Sequence, residues 1–149
     1  MKKTSLMIGW LFFILSIPVL SANNVSQIEI EGVLFSNGSA HITQEWQGTF
    51  SEGTENYIVI ENLDGITLSD FEVWDETGPY TFLPHWDVKA SFEEKAGKYG
   101  IVETKDGYEL CFGITQYGER NYRFSYRLNG LAASYSDYDG FYLCLSIRK

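Results

Sequence analysis

Residues 134–144 read SYSDYDGFYLC and set two carboxylates, Asp137 and Asp139, two residues apart ahead of Gly140. That spacing invites a calcium reading. A calcium loop, however, needs about six to eight oxygens, mostly from carboxylates at fixed offsets, and this stretch supplies two acids. Asp-Gly is equally what a turn ahead of a strand requires, and the chain uses it again at Asp64-Gly65 and Asp106-Gly107 with no second acid two residues before. The turn reading is favoured over a metal loop, and Asp137 and Asp139 stay as candidate ligand-binding residues.

Other chemistry-bearing residue types are present without the spacing that chemistry needs. His41 and His85 lie far apart, and neither belongs to an HxH or HExxH pattern that would bring two imidazoles to one metal. No GxSxG elbow accompanies them. Carboxylate pairs of the kind glycosidases use arise by chance among 20 acidic residues, and Glu93-Glu94 reads as a solvated face. No catalytic residue, metal site or cofactor is therefore expected.

Aromatic residues make up 16% of the chain, and Trp46, Trp74 and Trp86 could stack on sugar rings. Trp46 shares a strand face with Ile42 and Phe50, which points it into a core. Trp86 follows Pro84 in a less regular segment and is the first choice for an exposed binding tryptophan, with Trp74 as its companion. Cys111 and Cys144 either form a disulfide or remain two buried thiols. Both alternatives stay open.

The elements that must position these residues are strands. Apolar residues recur with period two in short runs separated by Gly, Asn and Asp. Residues 27–35 and 41–50 flank Asn37-Gly38, the pair a type I′ hairpin prefers. Further strands are expected over 56–61, 66–74, 80–83, 99–104, 108–114, 121–128 and 140–147, with one short helix allowed in VKASFEEKAGK. Eight or nine short strands predict an all-β, antiparallel two-sheet β-sandwich of immunoglobulin-like type.

Ahead of this domain, Lys2 and Lys3 precede an uncharged run from Thr4 to Asn24 centred on IGWLFFILSIPVL. That is an export signal over 1–22, with an uncleaved membrane anchor as the alternative, and the sandwich occupies 23–149. Pro18 and the small residues after it favour cleavage. Losing Lys2 and Lys3 would take the net charge from −9 to −11. Such a surface repels phosphate, so nucleic acid and anionic lipid are disfavoured as partners. Two sequons, at Asn24 and Asn37, are expected to stay bare because the signal looks bacterial.

Five segments carry a likeness to a known family: FSNGSAHITQEW, IENLDGITLSDFEVWDE, SFEEKAGKYGIV, YELCFGI with YGERNYRFSYRL, and YSDYDGF before an aromatic-rich strand. Through them residues 25–147 resemble the N-terminal extracytoplasmic domain of the bacterial predicted membrane protein family known as domain of unknown function 2207. The resemblance implies a sandwich outside the membrane with membrane helices downstream, and it brings no catalytic residues. No second apolar span occurs up to Lys149, so membrane contact is expected only through the N-terminal anchor or a helix beyond the given residues.

The expectation is a non-enzymatic, secreted or membrane-associated domain that meets an envelope protein or glycan. A carbohydrate-binding or glycan-processing module using Trp86, Trp74 and nearby acids is the alternative.

Overall fold

A computed structural model of the chain describes residues 23–134, 139–140 and 144–147. The expected leader over 1–22 and Asp137 lie outside the described residues. The strands are β1 (Asn24–Leu34), β2 (Ala40–Phe50), β3 (Glu55–Glu61), β4 (Thr67–Asp75), β5 (Gly78–Pro79) and β6 (Thr81–Phe82). A short helix, α1 (Phe92–Lys95), leads to β7 (Lys98–Glu103), β8 (Gly107–Gly113), β9 (Gly118–Asn129), β10 (Ala133–Ser134), β11 (Asp139–Gly140) and β12 (Cys144–Ile147). One sheet has the order β1-β2-β9-β4-β5 and the other β12-β3-β8-β7-β6, while β10 and β11 form a separate small hairpin. The two sheets make the expected sandwich.

Period-two patterning explains why they face each other. Along β2, Ala40, Ile42, Gln44, Trp46 and Phe50 are buried, and the register sets them opposite Leu128, Tyr126, Phe124, Tyr122 and Gly118 of β9. From the other sheet come Ile58, Ile60, Leu110, Phe112 and Ile114. Trp46 meets Phe124 edge to face at 5.3 Å, and Phe112 meets Tyr122 at 5.1 Å. Among the described residues eight aromatic side chains, including these four, lie in this core, where such ring pairs add to plain area burial. Gln44 is the polar exception. It is satisfied inside the core, donating to the Tyr126 hydroxyl at 3.0 Å and accepting from Trp46 Nε1 at 3.1 Å.

Three local features differ from expectation. The β1–β2 turn is not type I′, because Asn37 is not at positive φ and only Gly38, at φ 78°, takes the left-handed conformation. Asn37 Oδ1 accepts from the Ser39 amide at 3.0 Å and its hydroxyl at 2.7 Å, an Asx bracket within a three-residue loop closed by Gly38 N to Phe35 O. In β4 the pairing with β9 shifts between Ser69 and Glu72, where Asp70 sits at φ 54°. That bulge changes the strand's parity, so that Leu68 before it and Phe71 and Val73 after it all contribute to the core.

Thirdly, the second sheet is not wholly antiparallel: β6 pairs parallel with β7. Parallel neighbours need a crossover of about a dozen residues or more. Residues 83–97, which include α1, provide it and run back over the outer face of that sheet.

Candidate interaction surfaces

The crossover decides the fate of Trp86. Its indole lies over Gly100 of β7, so closely that a Cβ there would meet the ring at 3.0 Å. Only 5% of the residue is exposed, and Nε1 donates to Glu55 Oε2 at 2.7 Å. The same carboxylate pairs with Lys95 Nζ at 2.9 Å. Lys95, 1% exposed, also donates to Thr54 Oγ1 at 3.1 Å and to the Val88 carbonyl at 2.7 Å. An ammonium has three donors, and all three are engaged.

Ser91 starts α1 with a reciprocal capping box to Glu94, which aims Lys95 inward. Glu93 and Glu94 are solvated, as expected. Trp86 and Lys95 therefore clamp the crossover onto the sheet, and the expectation that Trp86 is an exposed sugar platform is corrected. A signal for this was present in the sequence. Val59 and Cys111 stand on the sheet face opposite the core yet are apolar and buried, as strands covered on both sides require.

Cys111 belongs to this second layer as a free, buried thiol. Burial pushes it up to about 12, assisted by the nearby Glu55 and Glu109 charges. The register puts Cys111 opposite Tyr57 and Cys144 opposite Glu61, on strands either side of β3. Two strand spacings amount to roughly 9.6 Å, beyond the roughly 7 Å between Cα atoms that a disulfide tolerates. Of the two alternatives, the structure has the free thiol at Cys111.

Trp74 is half-buried on the outer face of the first sheet. It borders a groove of about 210 Å³ shared with Glu45, Gln47, Glu76, Asn121 and Arg123. Trp86, packed on the second sheet, and Trp74, in the first, thus form no common platform. Beside the groove, Asp75 is bound into the fold. Its Oδ2 accepts from Thr115 Oγ1 at 2.6 Å and the Tyr80 hydroxyl at 2.9 Å, and its Oδ1 accepts from the Thr77 amide at 2.7 Å. Burial pushes this carboxyl up, but the bonds from Thr115, Thr77 and Tyr80 outweigh it and hold it below the usual range.

Asp139 is on β11, opposite Ser134. The other two Asp-Gly turns come together at one end of the sandwich, where 62–66 and 103–108 line a polar hollow of about 510 Å³. Among the described residues no group of three or more His, Cys, Asp or Glu side chains is placed to hold a metal ion.

The feature that sequence reasoning missed is the β1 edge. Ile30 and Leu34 are each 52% exposed, and Val33 and Phe35 beside them are also exposed. By register Ile30 lies opposite Gln44 and Leu34 opposite Ala40, both core-facing, so these two side chains extend the core surface past its cover among the described residues. Other exposed large apolar residues, Phe82, Val88 and Tyr117, lie on three separate segments. The alternation of QIEIEGVL looked like any half-buried strand, and nothing local marks a strand as an edge.

No protein-family profile, curated protein or solved structure matches this chain.

Proposed function

We propose that the chain is a non-enzymatic extracytoplasmic β-sandwich domain of a bacterial secreted or membrane-associated protein, which binds a protein partner at the cell envelope through its β1 edge. The carrying observation is the exposed pair Ile30 and Leu34 on the core-facing side of β1, with Val33 and Phe35 exposed on its other face, along a strand that among the described residues is paired on one side only. Exposed apolar groups along an open edge strand are what a binding edge supplies and what an unpartnered sheet avoids. The leader and the likeness to the extracytoplasmic family support the address. Binding rather than catalysis is favoured because the half-buried Asp75 and the buried Lys95 have their polar atoms engaged in structural hydrogen bonds.

A photo-crosslinking side chain placed at position 30, 47 or 103 in the exported chain tests this. Adducts with one envelope protein from position 30, and none from 103, are expected. Equal labelling from all three positions would contradict it.

One observation favours glycan as a second reading. The Trp74 indole stands beside the amides of Gln47 and Asn121 and the charges of Arg123, Glu45 and Glu76, a set able to stack on and hydrogen-bond a sugar. Envelope glycan fragments should then change tryptophan fluorescence, and Trp74→Ala should abolish the change. A response retained in Trp74→Ala would exclude this groove.

A further inference from the structure

We infer that the open edge of β1 takes an extended segment of a partner protein in which apolar residues alternate with lysine or arginine. The inference rests on the reading of β1 as the binding edge, and it specifies what that edge selects. Along its length β1 is paired with β2 from Asn24 to Leu34, and among the described residues no strand pairs with its other side. An added strand would satisfy the free amides and carbonyls there, and its side chains would alternate between the two faces of the sheet.

Each face then selects its own residue type. On the core-facing side the incoming side chains would lie beside Ile28, Ile30 and Leu34, of which Ile30 and Leu34 are exposed; apolar groups at every second position would cover them. On the opposite face they would meet Glu29 and Glu31. These two and Glu45 surround a depression of about 190 Å³ floored by Thr43. Glu29 stands directly across from Glu45, a like-charge pair that destabilises the bare sheet.

Glu45 is ion-paired to Arg123 on its far side at 3.7 Å. Among the described residues neither Glu29 nor Glu31 has a salt-bridge partner; Glu29 accepts one hydrogen bond, from Gln27 at 2.6 Å. A cationic side chain entering this depression would therefore relieve one repulsion and supply a counter-charge to Glu29 and Glu31.

A second copy of β1 fits less well. Antiparallel self-pairing along the full strand sets Glu29 against Glu29 of the other copy, and centring on Ile30 sets Glu29 against Glu31 twice. The net charge of −9 adds a general repulsion between copies.

The test measures fluorescence anisotropy of labelled nonapeptides against the full chain. The probes are alternating Leu-Lys, alternating Leu-Glu, and the Leu-Lys peptide N-methylated at every second amide. Leu-Lys should bind, with affinity falling as salt rises. Leu-Glu and the N-methylated peptide should each bind about tenfold more weakly or worse. Glu29→Lys with Glu31→Lys should reverse the preference toward Leu-Glu. Glu93→Lys with Glu103→Lys, the same charge change at exposed positions elsewhere, should leave the preference in place.

Three results would overturn the inference: equal binding of Leu-Lys and Leu-Glu, undiminished binding of the N-methylated peptide, or equal effects of the two double variants. A sedimenting dimer that Ile30→Lys dissociates would also overturn it, by making the second copy the occupant. Envelope crosslinking from position 30 to a partner lacking such a segment would sink this inference alone. Peptide binding without any envelope adduct would instead sink the proposed function and leave the edge chemistry intact.

Discussion

At the scale of single residues, Lys95 and Cys111 are buried where they hold structure. Lys95 has a saturated set of acceptors beneath the crossover, so removing its charge leaves Glu55 facing Trp86 alone in a partly buried site. Breaking one side of such a pair costs about 3 kcal/mol or more. Lys95→Met should accordingly lower the urea-unfolding free energy by about 3 kcal/mol, and a loss below about 1 kcal/mol would mean that Lys95 is solvated. Cys111, raised to about 12 by burial, should be unreactive. In a Cys144→Ser chain at pH 8 its thiolate fraction should be roughly a thousandfold below that of an ordinary thiol. Alkylation should then follow the unfolding transition, and rapid alkylation of the native chain would contradict the buried placement.

At the scale of elements, the crossover packs as a second layer on its sheet. Gly100 provides the floor for Trp86, so Gly100→Val should force the indole outward. A loss of about 1–3 kcal/mol by overpacking and a red-shifted tryptophan emission are expected; an unchanged spectrum would show that the crossover does not press on the sheet. The strands, both main hairpins and the helix in VKASFEEKAGK were readable because apolar period and Asp-Gly or Asn-Gly punctuation agree there. The β4 bulge was legible in principle, since Ile66 and Leu68 are even-numbered and Phe71 and Val73 odd. The turn type at Asn37 was not, because the Asx bracket through Ser39 competes with positive φ and depends on side-chain geometry. Trp86 was misjudged because periodicity says nothing of a segment that packs flat on a sheet, and the β1 edge was missed because neighbour order in a sheet is a property of long-range pairing.

For the whole molecule, burial of weak acids sets the direction of its response to pH. Burial raises Tyr126 to about 12, partly offset by the bond from Gln44, and raises Tyr80 and Tyr122 well above the ordinary tyrosine range. In the unfolded chain Cys111 and these tyrosines titrate near their ordinary 9 and 10, whereas in the fold they stay protonated. The unfolded state thus binds fewer protons above pH 9, and stability present below that pH is lost as pH rises toward 12. Each group removes about 1.4 kcal/mol per pH unit once the pH exceeds its ordinary value, near 9 for Cys111 and near 10 for the tyrosines. Urea midpoints measured from pH 8 to 11 should be level up to about pH 9 and fall increasingly above it, and a flat profile throughout would mean that these groups ionise in place. Asp75 acts in the opposite sense, losing its contribution as pH falls below the ordinary carboxylate range. The most direct test of the β1 edge as the binding surface is amide hydrogen exchange of the full chain with and without the Leu-Lys nonapeptide. Protection should appear at alternate amides of residues 24–34, those facing the open side, with β9 unchanged. Protection confined to residues around Trp74, or none at all, would contradict it.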